Sequence, residues 1–314
     1  MMNRLKHISR SQTFIAKLFI FSLLAIFSVD RTMGQNSIQP TKGIGYFKSQ
    51  DTKPDTIIYK TVDGKKLRLL VILPSQMADQ KAPAMVWIHG GAWVAGSPEG
   101  FVPHLRYSAA LGCAAFSIEY RLIPKPGANE PVTNKITIGD CLADCADAIR
   151  YIRQHANELG IDPQRIVVIS DSAGGHLALC LGTMDLPEEA KANVVINCNG
   201  ISDMTAEKWI KYISHGTGQL QMAKNLSPVN FLDPKDAPIL TMNGANDQVV
   251  TSAEAESFFD SCKRAGIDTE YILFPDMRHA FIVTNYTATE EQTDRALDAM
   301  KAFLVKRKIL GEKL

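Results

Sequence analysis

The sequence predicts an α/β fold built on one mostly parallel, doubly wound sheet with helices on both faces. Three observations carry that expectation. Short β-rich apolar runs alternate with segments of helical periodicity along most of the chain. These runs are continuously apolar rather than alternating, which suits strands covered on both faces. A strong hairpin signal, Asp63-Gly64, separates the first two runs and marks an antiparallel start.

Composition narrows the classes of function. Of 314 residues, 46% are hydrophobic and 21% charged, the balance of an ordinary globular protein. Lys and Arg number 34 against 33 Asp and Glu, so no charge excess directs the chain to nucleic acid or an anionic surface. At the amino terminus Arg4, Lys6, Arg10 and Lys17 precede the apolar run Leu18 to Val29, which Asp30 and Arg31 close. Such a run falls short of the ~18 apolar residues of a spanning helix, and a basic head before it reads as an export signal. We therefore expect residues 1–34 to be a signal peptide cleaved before Gln35, with an uncleaved anchor as the alternative. Residues 35–314 are expected to form a single domain, periplasmic or extracellular, with no stable membrane insertion. Its 29 basic and 32 acidic residues leave a net charge of −3. Six cysteines follow the signal, in no disulfide-scaffold spacing. Cys141 and Cys145 lie four apart on a predicted helix; without a CxxC or a nearby His they read as small buried residues, and pairing stays open.

After a polar lead to about Asp55, Thr56–Val62 and Leu67–Leu73 read as the two strands of the hairpin. Ala84–Ile88, Cys113–Ile118, Arg165–Ser170, Asn193–Cys198, Ile239–Met242 and Thr269–Phe274 follow as strand candidates. Gly139–Leu159 has apolar residues at Leu142, Cys145, Ala146, Ile149 and Ile152, a helical spacing that Gly160 is expected to stop. Ala173–Leu181, Ser252–Ala265 and Thr289–Lys306 are the other predicted helices. In such a sheet, ligand chemistry belongs at the carboxyl ends of the strands.

Chemistry-bearing residues stand in those positions. Ser170-Asp171-Ser172-Ala173-Gly174-Gly175-His176 joins a strand directly to a helix, the context that presents a nucleophilic serine on a sharp elbow. Ser172 is the candidate nucleophile, although Ser170 stands where the usual GxSxG pattern has its first glycine. His89-Gly90-Gly91-Ala92-Trp93 follows an earlier strand, and its paired glycines let backbone amides turn toward a ligand oxygen. The amides of Gly90, Gly91 and Ala173 are the expected oxyanion donors. A serine hydroxyl needs a histidine to take its proton and a carboxylate to orient that histidine. Asp247 and His279 each lie just past a predicted strand, in the order Ser, Asp, His. Asp203 is the alternative acid; Asp276 shares a loop with His279, and Asp171, beside the nucleophile, is read as structural. No HExxH, carboxylate cluster or Cys/His set is present, so the chemistry calls for no metal or other cofactor.

HGGAW at His89–Trp93, EYRL at Glu119–Leu122, DSAGGHLA at Asp171–Ala178, GANDQVV at Gly244–Val250 and RHAF at Arg278–Phe281 fall in one order. With them the chain, from about Thr56 to Leu304, resembles the α/β-hydrolase superfamily. Its likeness is to the esterase and lipase group with hormone-sensitive-lipase-like, acetyl and feruloyl esterases. The resemblance implies an α/β-hydrolase fold, the triad Ser172–Asp247–His279, and oxyanion donors at Gly90, Gly91 and Ala173. It departs at Asn243, where members often carry histidine, and at Ser170. Residues 199–237 are expected to supply a small lid carrying Trp209 and Tyr212 over a fairly open site. The resemblance points to a secreted serine carboxylic ester hydrolase acting through an acyl-enzyme. Its substrates are expected to be short-chain esters, small molecules or acetyl or feruloyl groups on carbohydrate. A serine peptidase on the same fold and a non-catalytic binding protein are the competing readings.

Overall fold

In the sheet, every second side chain faces the same side, and here both sides are apolar. Along Ala82–Ile88 (β3), Ala84, Val86 and Ile88 belong to one hydrophobic cluster, while Met85 and Trp87 belong to another. The same division runs along Ile161–Asp171 (β5), with Ile166 and Val168 on one face and Val167 and Ile169 on the other. The computed structural model describes residues 42–75, 81–124, 136–213, 219–284 and 286–311. The expected signal segment, residues 1–34, lies outside the described residues. Among those described, no helix is long and apolar enough to cross a membrane.

The remaining strands are Asp55–Val62 (β1), Lys65–Ile72 (β2), Ala114–Ile118 (β4), Val194–Cys198 (β6), Ile239–Gly244 (β7) and Thr269–Phe274 (β8). They form one eight-stranded sheet in the order β1-β2-β4-β3-β5-β6-β7-β8. β2 runs antiparallel to β1 and β4, and every other pairing is parallel. The predicted hairpin forms, with Asp63 and Gly64 at φ +50° and +75°, both left-handed as a tight β1–β2 turn needs.

Ile138–Gln154 (α3), Ser172–Thr183 (α4) and Ser252–Ala265 (α7) pack on one face. Ile44–Lys48 (α1), Val102–Ala110 (α2) and Glu290–Lys306 (α8) pack on the other. Capping boxes start α3 (Thr137 with Asp140), α7 (Thr251 with Glu254) and α8 (Thr289 with Gln292). Two short helices, Glu207–Ile210 (α5) and Gln219–Asn225 (α6), lie between β6 and β7, within the segment expected to form a lid.

The structure departs from expectation in four places. α1 occupies part of the lead read as lacking elements, tied by Asp294, which accepts the Ile44 N–H at 2.6 Å. α2 has no counterpart among the predicted helices; Pro103 masks it, yet proline is tolerated in a first turn where its missing N–H has no partner to lose. α3 ends at Gln154, so Gly160 closes a following turn rather than the helix. β8 is an edge strand and mostly half-buried, unlike the fully covered strands at the centre.

Candidate active site

β5 ends at Asp171 and α4 begins at Ser172 with no intervening loop. That abrupt change forces Ser172 to φ +52°, a left-handed conformation that side chains other than Asn, Asp and Gly rarely adopt. Its hydroxyl is thereby raised at the amino end of α4. The next amide, Ala173 N–H, lies in the first helical turn, where no intrahelical acceptor exists.

His279 comes from the loop after β8. Its Nε2 lies 2.8 Å from Ser172 Oγ, and its Nδ1 lies 2.8 Å from Asp247 Oδ2. With Nδ1–H donated to the carboxylate, Nε2 is the lone-pair nitrogen facing the serine hydroxyl. Asp247 is buried, and its other oxygen accepts the N–H of Val249 (2.8 Å) and of Val250 (2.9 Å). Asn243, which stands where a histidine was expected by resemblance, donates from Nδ2 to the Val250 carbonyl at 3.1 Å and so holds the acid loop to β7. The three side chains singled out from the sequence are therefore brought into one hydrogen-bonded row. The rival acids are engaged elsewhere: Asp203 accepts from the Thr205 N–H and hydroxyl at 2.8 and 2.7 Å, and Asp276 pairs with Arg295 and Gln292.

The HGGAW loop is held from several directions. Tyr120 donates its hydroxyl to the His89 carbonyl at 2.8 Å and its ring stacks on the imidazole. Ile123 N–H reaches the Trp93 carbonyl at 2.8 Å, and the Gly91 carbonyl accepts from Val94 and Ala95. Gly91 has φ +108°, and a Cβ there would lie 2.3 Å from the Ala95 carbonyl oxygen, so only glycine fits. Burial pushes the His89 imidazole down to about 4, which keeps it neutral near pH 7.

One expected donor must be corrected. The Gly90 N–H is taken by Asp171 Oδ1 at 3.1 Å, which removes it from the free amides. No hydrogen bond within the protein engages the N–H of Gly91 or of its successor Ala92 among the described residues. The free pair is thus shifted one residue along the loop. Asp171, read as structural, does this by burying its carboxylate beneath Gly90. Burial raises its pKa to about 6, against the opposing pull of His279 and of the Gly90 amide.

Trp93 is fully buried and makes edge contacts with His176, Trp209 and Tyr212. This aromatic group joins the HGGAW loop to α4 and α5. His176 Nε2 lies 2.7 Å from the Leu226 carbonyl just past α6, which ties the inserted segment to the helix that carries Ser172. The six cysteines are buried as free thiols. Among the described residues no group of His, Cys, Asp and Glu is arranged to hold a metal.

The sheet order, the strand-to-helix elbow and the Ser–His–Asp row define an α/β-hydrolase. A family model described as BD-FAE matches residues 69–261. The chain belongs to the BD-FAE family. It is 28% identical over 224 residues to the probable carboxylic ester hydrolase LipM of Mycobacterium tuberculosis, covering 64% of this chain and 49% of that protein. Over 248 residues it is 26% identical to the ethyl acetate hydrolase of Pseudomonas putida, covering 71% and 73%. The chain spans about half the length of LipM and of esterase LipQ. Among solved structures it is similar to Thermogutta terrifontis esterase 2. For the form phosphonylated by cyclosarin the TM-score is 0.71 at 29% identity, covering 82% of this chain and 96% of that one. The butyrate-bound form gives the same TM-score and identity, covering 83% and 96%.

Proposed function

We propose that the protein is a serine carboxylic ester hydrolase for short-chain acyl esters, with Ser172 as nucleophile, His279 as general base and then acid, and Asp247 as its orienting carboxylate. The observation that carries this reading is the pair of 2.8 Å contacts on either side of the His279 ring. Ser172 Oγ attacks the ester carbonyl as its proton passes to His279 Nε2. The tetrahedral oxyanion is met by the amides of Gly91, Ala92 and Ala173. His279 then protonates the departing alcohol, and water, deprotonated by the same nitrogen, releases the acid from the acyl-enzyme. No metal or redox step enters this scheme.

Two further points support the acyl preference. Relatives include an ethyl acetate hydrolase, and a neighbouring esterase has propionate-bound and butyrate-bound forms. Export of the mature chain, inferred from the basic head and apolar run, makes acetyl or feruloyl groups on extracellular carbohydrate reasonable natural substrates.

The test is a ladder of p-nitrophenyl esters from acetyl to octanoyl, followed by acetylated xylan and feruloylated sugars. Turnover is expected to peak at acetyl to butyryl, and Ser172→Ala should lower kcat by about 10⁴-fold or more. Equal turnover by Ser172→Ala, or no hydrolysis of any ester, would rule the proposal out.

A further inference from the structure

The turn that follows β6 has a backbone the triad alone does not explain. Asn199 is almost fully buried and sits at φ +44°, a conformation costly for most residues but accessible to asparagine. From this one position contacts run to three separate parts of the site. The Asn199 N–H donates to the Met242 carbonyl at 2.9 Å, near the end of the strand that leads to Asp247. Its side-chain Oδ1 accepts the N–H of Ala280 at 3.0 Å, the residue directly after His279. The adjoining Gly200 lies against α4: a Cβ on Gly200 would stand 2.6 Å from the Gly175 carbonyl carbon, three residues beyond Ser172. Asn197 Oδ1, accepting the Gly200 N–H at 2.9 Å, closes the turn.

The far end of this tether is itself strained. Ala280 has φ +59°, unfavourable for an alanine, so the His279 loop keeps its course only if neighbouring contacts hold it. The Ala280 amide is buried and needs an acceptor. Asn199 Nδ2 has no partner among the described residues, so the bond to Ala280 is the whole of what this side chain contributes in hydrogen bonding.

We infer that Asn199 is a positioning residue, which holds the loop carrying His279 so that the imidazole stands between Ser172 and Asp247. This rests on the catalytic reading proposed above. Without the Oδ1 acceptor, the loop relaxes toward another partner for the Ala280 N–H, and the imidazole leaves the line between hydroxyl and carboxylate. A displacement of about 1 Å in a reacting group costs on the order of 10²-fold in rate. Residue 199 must combine tolerance of a left-handed backbone with an acceptor one carbon beyond Cβ. Asparagine meets both needs, glycine only the first, and aspartate both.

The experiment compares Asn199→Gly and Asn199→Asp in the full chain, each assayed with p-nitrophenyl butyrate at the pH of its own maximal rate. Asn199→Gly relieves the backbone and should keep a parental thermal midpoint, while kcat falls by about 10- to 100-fold with KM within about twofold. Asn199→Asp keeps the acceptor and should recover kcat to within about fivefold of the parent. Parental kcat in Asn199→Gly, a loss confined to KM, or an Asn199→Asp no better than Asn199→Gly would overturn the inference. Failure of the catalytic reading looks different: the parent would then turn over no ester, whatever stands at residue 199.

Discussion

At the residue scale, Asp171 and Gly91 lead to different measurements. Asp171 has a folded pKa near 6 against an ordinary 3.8, because burial favours its neutral form. Its charge pushes the buried Tyr120 hydroxyl and Cys198 thiol further up, and His279 pulls the Asp171 carboxyl back down. With the folded pKa raised, the stability from the neutral carboxyl is present below about pH 4 and is lost as pH rises through about 6. Asp171→Asn keeps an acceptor for Gly90 and removes that loss. Its thermal midpoint should exceed the parent's at pH 8, by the equivalent of about 1–3 kcal/mol, and the gain should shrink toward pH 4. Thermal melts of both proteins from pH 4 to 8 decide the matter, and a pH-independent difference would contradict it. Gly91 carries a free amide in the HGGAW loop. Gly91→Ala sets a Cβ 2.3 Å from the Ala95 carbonyl oxygen and forces the donor loop to move, so kcat should fall about 100-fold or more. A near-parental kcat for this variant would place the oxyanion donors elsewhere.

Elements are held to one another by a few polar pins set in an apolar interior. Asp144 on α3 is fully buried and accepts from Lys60 of β1 at 2.6 Å, from the Arg121 N–H at 3.0 Å, and from the Arg121 guanidinium at 2.7 and 3.0 Å. These bonds lock α3 against β1 and the segment that leaves β4. Two residues farther on, that segment supports the HGGAW loop through Ile123 and Trp93. Removing the carboxylate takes four hydrogen bonds from Lys60 and the largely buried Arg121, which keep Asp147 at 2.7 Å and Asp140 at 3.3 Å as their remaining partners. Asp144→Ala should therefore cost about 1.5–3 kcal/mol in chemical denaturation. A cost below about 1 kcal/mol would show the network to be ornamental. At this scale the sequence was a good guide wherever pattern and punctuation agreed. All eight strands stand where apolar runs met turn residues, and α7 falls on its predicted bounds because a capping box and a glycine flank it. α2 escaped notice because Pro103 speaks against a helix unless its place in the first turn is known. α1 escaped because its helical state depends on contacts with α2 and α8, which no local pattern reveals.

At the scale of the whole molecule, the sheet gathers what the chain separates. Ser172, Asp247 and His279 follow β5, β7 and β8, and the HGGAW loop follows β3, so all four approach the same carboxyl edge. That convergence was legible because order and strand context are one-dimensional features. The roles of Gly90, Asp171 and Asn199 were not, because each depends on a close approach in space: an amide claimed by a buried carboxylate, and a left-handed turn reaching a loop 81 residues away. The most direct measurement of the central claim is intact-protein and peptide mass spectrometry after incubation with a small fluorophosphonate, alongside residual ester hydrolysis. The account predicts one adduct per chain, on Ser172, formed in step with loss of turnover and greatly slowed by His279→Ala. An adduct on another residue, or full turnover in phosphonylated protein, would contradict it.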